Sequence, residues 1–188
     1  MKPRLFILGP SGCGKSTAIR LELGDRFRRA GGFTTCRDRD ENGKVSSFVI
    51  QSADGYGPRD RFLDLKAEPP RIDLELFDRV GVDYLRRAGE RPFAVLDELG
   101  GVELLDDGFV RALAQFLKSD TPCIGVLKGP GTGRTVGVMG LNLRYELARR
   151  VLLEHLLKDA DVMVVRTSGL GDEKAEALVQ EWVDEYAK

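Results

Sequence analysis

Nine residues near the start, Gly9-Pro10-Ser11-Gly12-Cys13-Gly14-Lys15-Ser16-Thr17, carry the residue types and spacing that phosphate chemistry asks for. From Gly9 to Gly14-Lys15-Ser16 they match G-x-x-x-x-G-K-[ST] in full. The glycines let the backbone wrap closely with its N–H groups turned inward, so phosphate oxygens meet several donors and the positive end of the following helix. Lys15 is expected to reach the β- and γ-phosphates as a point charge. The Ser16 hydroxyl is expected to ligate Mg²⁺, and Thr17 to help hold the α-phosphate. The implied ligand is a nucleoside triphosphate. The plainer alternative, a glycine-rich turn with a solvated lysine, is disfavoured by the full match in a strand-to-helix setting.

A second constellation is Asp97-Glu98, directly after the apolar run Phe93-Ala94-Val95-Leu96. Asp97 can hold Mg²⁺, neutralising charge that builds on the phosphates. Glu98 points elsewhere and can orient or deprotonate a water for in-line attack on the γ-phosphorus, unless it is only a solvated loop acid. Arg37, Arg59 and Arg134 are candidates to approach the transferring phosphate, Arg37 first, though each also reads as an ordinary surface arginine. The lone His155 has no clustered partners and reads as non-catalytic. Trp182, in step with Leu178 and Tyr186, reads as a packing residue.

These residues need elements to hold them. Leu5 to Leu8 is a continuous apolar run, the pattern of a strand buried on both faces, and Ser16 to Arg29 follows as its crossover helix, interrupted at Gly24. Phe33–Arg37 and Val45–Ile50 flank the turn residues 40–43 and predict an inserted antiparallel hairpin. Ser52 to Arg71, with its glycines and prolines, reads as a long surface loop. One or two helices broken near Gly81 follow. Strands are then expected at 93–96, 123–127 and 162–165, with helices at 107–118, 142–157 and 173–186.

Apolar strands alternating with helices predict an α/β fold, a mainly parallel sheet covered on both faces as a three-layer α/β/α domain. Ligands gather at the carboxyl ends of such strands, which places the Gly9 loop and Asp97-Glu98 at one edge.

The 188 residues suit a single domain, and 42% hydrophobic with 31% charged residues is ordinary globular composition. With 29 Lys+Arg against 30 Asp+Glu, nothing advertises a duplex nucleic-acid or anionic-membrane surface. Cysteines 13, 36 and 123 are too far apart for a zinc pattern; with neither a secretory leader nor a membrane-length apolar run, the expectation is a reduced, cytoplasmic protein. Cys13 sits inside the phosphate loop, where a small residue suffices.

Leu96-Asp97-Glu98-Leu99-Gly100-Gly101-Val102-Glu103-Leu104 is similar to the DEIGxxEL stretch of the THEP1-type nucleoside-triphosphatases. Ala30-Gly31-Gly32-Phe33-Thr34-Thr35-Cys36-Arg37 resembles that family's Gly-Phe-x-Thr segment followed by arginine. With the phosphate loop, three separated motifs carry the resemblance; Lys44–Phe48 and the loop from Gly129 to Gly140 depart from it. The resemblance implies a P-loop NTPase fold in which Gly9 to Ser16 and Val95, Leu96, Asp97, Glu98, Leu99, Gly100, Gly101 and Val102 line the nucleotide site. It also implies Mg²⁺-dependent hydrolysis of several nucleoside triphosphates with loose base choice. Glu103 reads either as a support for these residues or as part of the turn. Two other functions stay open: a small-molecule or nucleoside kinase taking its acceptor at Ser52–Arg71, and a non-catalytic nucleotide switch.

Overall fold

The computed structural model describes residues 1–129 and 142–188. Eight strands form one sheet: β1 (Arg4–Gly9), β2 (Gly31–Arg39), β3 (Val45–Ser52), β4 (Asp60–Asp64), β5 (Arg71–Ile72), β6 (Ala94–Leu99), β7 (Cys123–Lys128) and β8 (Val162–Arg166). Their order is β5-β4-β3-β2-β6-β7-β1-β8. β2, β6, β7, β1 and β8 run parallel, and β3, β4 and β5 add antiparallel strands beyond β2.

The apolar runs form strands because both faces of the sheet are covered. Phe6 and Leu8 of β1 enter one core cluster, Leu5 and Ile7 the other, so successive side chains are buried on opposite sides. The first face carries α2 (Val82–Ala88), α3 (Asp107–Phe116) and α4 (Asn142–Lys158); the second carries α1 (Lys15–Leu23) and α5 (Glu173–Tyr186). Phe109 of α3 lies edge-on to both Phe33 and Phe77, tying this layer to β2. α3 begins at Asp106, whose carboxylate accepts the Phe109 N–H at 2.7 Å. Trp182 is fully buried, its indole donating to the Pro3 carbonyl at 3.0 Å, a packing residue as its spacing predicts.

Three local readings change. The segment from Ser52 to Arg71 is a loop only in part: Asp60–Asp64 pairs with β3, and Arg71 enters β5, which pairs with β4. Phe62 and Leu63 are buried there, and Phe62 packs on Phe77, contacts that its prolines and glycines mask in sequence. The crossover helix ends at Leu23, and Gly24–Arg29 winds as a 3₁₀ turn. Gly81 does not break its helix; a π turn over Phe77–Gly81 leads straight into α2, and Gly81 packs against the Phe109 ring. No helix among the described residues is long and apolar enough to cross a membrane. Arg134 and most of the glycine-rich loop lie outside the described residues.

Candidate active site

β1 ends at Gly9, and the chain turns through 10–14 into α1. Gly14 stands at φ +98°, a conformation that favours glycine, and a Cβ there would also crowd the exposed Leu170 side chain at 2.5 Å. The turn delivers Lys15 and Ser16 to the first positions of the helix. Lys15 is buried: its ammonium donates to the carbonyls of Gly9 at 3.0 Å and Pro10 at 2.7 Å, over the loop and away from bulk solvent.

The Ser16 hydroxyl donates to Asp97 Oδ1 at 2.7 Å. This bond joins the phosphate loop to the end of β6 and brings together the two corners that chemistry would need. Asp97 is 6% exposed, and its carboxyl is raised from 3.8 to about 6. Burial is the main cause and the Glu98 charge adds to it; the Ser16 hydrogen bond, Arg20 and Lys15 oppose it.

On the neighbouring strand Thr34 stands in register with Asp97, so their side chains share a face. β2 can approach this closely because Gly32, at φ +87°, leaves no Cβ to strike the Val95 carbonyl. The Thr34 hydroxyl is 1% exposed and has no hydrogen-bond partner among the described residues. Ser16 and Asp97 offer hard oxygen donors of the kind a magnesium ion keeping several of its waters takes, and the Thr34 hydroxyl lies on the same face of the sheet.

Glu98 is turned to another neighbour, with Oε2 3.8 Å from the Lys128 ammonium at the end of β7. Glu103 is buried, and its Oε1 accepts the N–H groups of Gly100 and Gly101, each at 2.7 Å. Burial pushes its carboxyl up, against the pull of Lys128 and these amide bonds.

Of the stretch 95–102, Val95, Leu96, Leu99 and Val102 are core side chains, leaving Asp97, Glu98 and the Gly100-Gly101 backbone as its polar part. Arg37 reaches the phosphate loop from β2, donating to Ser11 Oγ at 2.8 Å. Arg59 instead pairs with Asp38 at 2.7 Å and is half exposed. His155 lines an apolar groove of about 470 Å³ between α3 and α4. Thr34 and Lys128 escaped notice as site residues. The sequence holds a signal for Lys128, a cation closing an apolar strand, but only the sheet order makes that strand a neighbour of β1.

The family described as NTPase matches residues 4–140. "Nucleoside-triphosphatase THEP1" of Methanosarcina acetivorans is 31% identical over 134 residues, covering 66% of this chain and 75% of that protein. "Cancer-related nucleoside-triphosphatase homolog" of Mus musculus is 26% identical over 136 residues, 63% of this chain and 71% of that one. Among solved structures, the crystal structure of THEP1 from Aquifex aeolicus superposes with a TM-score of 0.61 at 18% identity, covering 98% of this chain and 99% of that one. The solution structure of a human cancer-related nucleoside triphosphatase gives 0.61 at 23% identity, covering 96% and 95%. Both share the fold.

Proposed function

The chain belongs to the NTPase family, and on that premise we propose that it hydrolyses nucleoside triphosphates to diphosphate and phosphate, with Mg²⁺ and with loose base choice. The observation that carries this reading is the 2.7 Å bond between Ser16 and Asp97, which ties the phosphate loop to the acidic end of β6. The loop amides and Lys15 would hold the β- and γ-phosphates, and Ser16 and Asp97 would hold the metal. A bound Mg²⁺ supplies charge neutralisation and orientation to the phosphate oxygens.

Glu98 orients a water behind the γ-phosphorus and takes its proton as the new P–O bond forms and the bond to the bridging oxygen breaks. Arg37, beside Ser11, is the cis arginine that meets charge growing on the transferring group. Of the segment Ser52–Arg71 that a kinase would use for its acceptor, Ser52, Asp54, Tyr56, Gly57 and Pro58 line a cavity of about 550 Å³ with Gly31 and Gly32 at the amino end of β2, whereas Asp64 stands in line with Ser47 and Asp38 at its carboxyl end. The phosphate loop lies at the carboxyl ends of the parallel strands, so an acceptor in that cavity would sit at the wrong edge.

The test is phosphate release from several nucleoside triphosphates, with and without Mg²⁺ and with and without nucleoside or metabolite acceptors. Release by the protein alone, across bases and only with Mg²⁺, supports the proposal. Transfer that requires an acceptor, or tight binding without turnover, overturns it.

A further inference from the structure

The strand register sets a second lysine at the seam between the phosphate loop and the acidic strand. Lys128 closes β7 opposite Gly9, where the loop begins, and β7 also pairs with β6, which carries Asp97 and Glu98. Its ammonium lies 3.8 Å from Glu98 Oε2, with side chains only 20% and 16% exposed. On its other side stands Glu103. A Cβ at Gly101 would meet Glu103 Oε2 at 2.4 Å and Lys128 Nζ at 2.8 Å, so ammonium, carboxylate and turn are packed together.

The cation is thus paired with Glu98 and stands close to the carboxylate of Glu103. Glu103 is anchored by the amides of Gly100 and Gly101 and sits near the ammonium without an ion-pair contact to it. Glu98 has no other ion-pair partner among the described residues. Two carboxylates as crowded as Glu98 and Asp97 repel each other, and a free Glu98 would swing outward toward water. Lys128 supplies the attraction that holds it back.

We propose that Lys128 is a positioning residue for hydrolysis: its ammonium balances the Glu98 carboxylate and fixes its direction, with the anchored Glu103 carboxylate beside it. The proposal rests on the reading of Glu98 as the group that prepares water. The competing account gives Lys128 a purely structural duty, neutralising the buried Glu103.

Steady-state phosphate release, binding of a fluorescent nucleoside triphosphate analogue and thermal unfolding separate the two. They are measured on Lys128→Met, Lys128→Arg, the double variant Lys128→Met/Glu103→Gln, and Glu98→Gln. Lys128→Met is expected to lower kcat by about tenfold to a hundredfold, the range for residues that support a catalytic group, with KM and analogue affinity held within about twofold. Lys128→Arg restores most of the rate. The double variant no longer buries an unpaired carboxylate, so it regains thermal stability but not kcat.

Recovery of kcat in the double variant would overturn the proposal in favour of the structural account. So would an unchanged kcat in Lys128→Met beside an inactive Glu98→Gln. Full turnover by Glu98→Gln would instead remove the reading beneath it.

Discussion

The Ser16 hydroxyl and the Asp97 carboxylate, 81 residues apart in sequence, meet at 2.7 Å where the first turn of α1 faces the end of β6. Asp97 is buried and Ser16 half-buried. The contact therefore couples the protonation of Asp97 to whatever the site binds.

That coupling gives a pH dependence of definite sign. The Asp97 carboxyl titrates at about 6 when folded against 3.8 ordinarily. Between those values the folded protein holds a proton that the unfolded chain has released. This group thus favours folding on the acid side, and its contribution is lost as pH rises through about 6. A metal needs the carboxylate, so protons compete with it. The Mg²⁺ concentration for half-maximal phosphate release should fall as pH rises from about 5 to about 7 and level off above. A flat Mg²⁺ requirement across that window would exclude Asp97 as a ligand.

Glu98→Gln keeps the size and packing of the side chain and removes its basicity. Phosphate release should drop by about a hundredfold or more, the usual contribution of general-base assistance, while nucleotide affinity stays near that of the wild type. Rapid-quench turnover measured beside equilibrium binding checks both halves. Undiminished release would take Glu98 out of the mechanism.

Arg37, on β2, and Arg59, just before β4, make a controlled pair. Arg37 touches the loop through Ser11, whereas Arg59 is spent on Asp38 and is half exposed. Arg37→Ala should lower kcat by about a thousandfold if it meets the transferring phosphoryl, in line with arginines supplied in cis or trans elsewhere. Arg59→Ala should change it little, since exposed ion pairs contribute weakly. Equal losses in both variants would count against a special place for Arg37.

The three thiols should separate by accessibility. Cys123 is wholly buried on β7, which pushes its thiol up to about 12; Cys13 and Cys36 are partly exposed. Since the thiolate is the reactive form, alkylation of the native protein followed by peptide mass spectrometry should find label at 13 and 36 and none at 123. Bound nucleotide should slow labelling of Cys13, which lies inside the phosphate loop. Early modification of Cys123 would mean that this part of the sheet opens.

The sequence by itself determined whatever depends on short-range spacing. Gly9 to Ser16 dictates its own turn because glycine positions and the following helix start suffice. The uniformly apolar runs at 5–8, 93–96 and 123–127 announce strands covered on both faces, and Asp97-Glu98 announces its place at a strand end. The hairpin of β2 and β3 was legible for the same reason. β4 was not, because its claim to be a strand comes from pairing with β3 and from burial of Phe62 and Leu63, which no local signal encodes.

Only the tertiary structure decided which strand ends are neighbours. The order β2-β6-β7-β1 sets Thr34 beside Asp97 and Lys128 beside Gly9, and it turns a lysine at the end of one strand into the partner of a glutamate on the next. Sheet order is fixed by how helices and strands bury their apolar faces together across the whole chain. Side chains far apart in sequence therefore acquire chemistry that none of them carries alone.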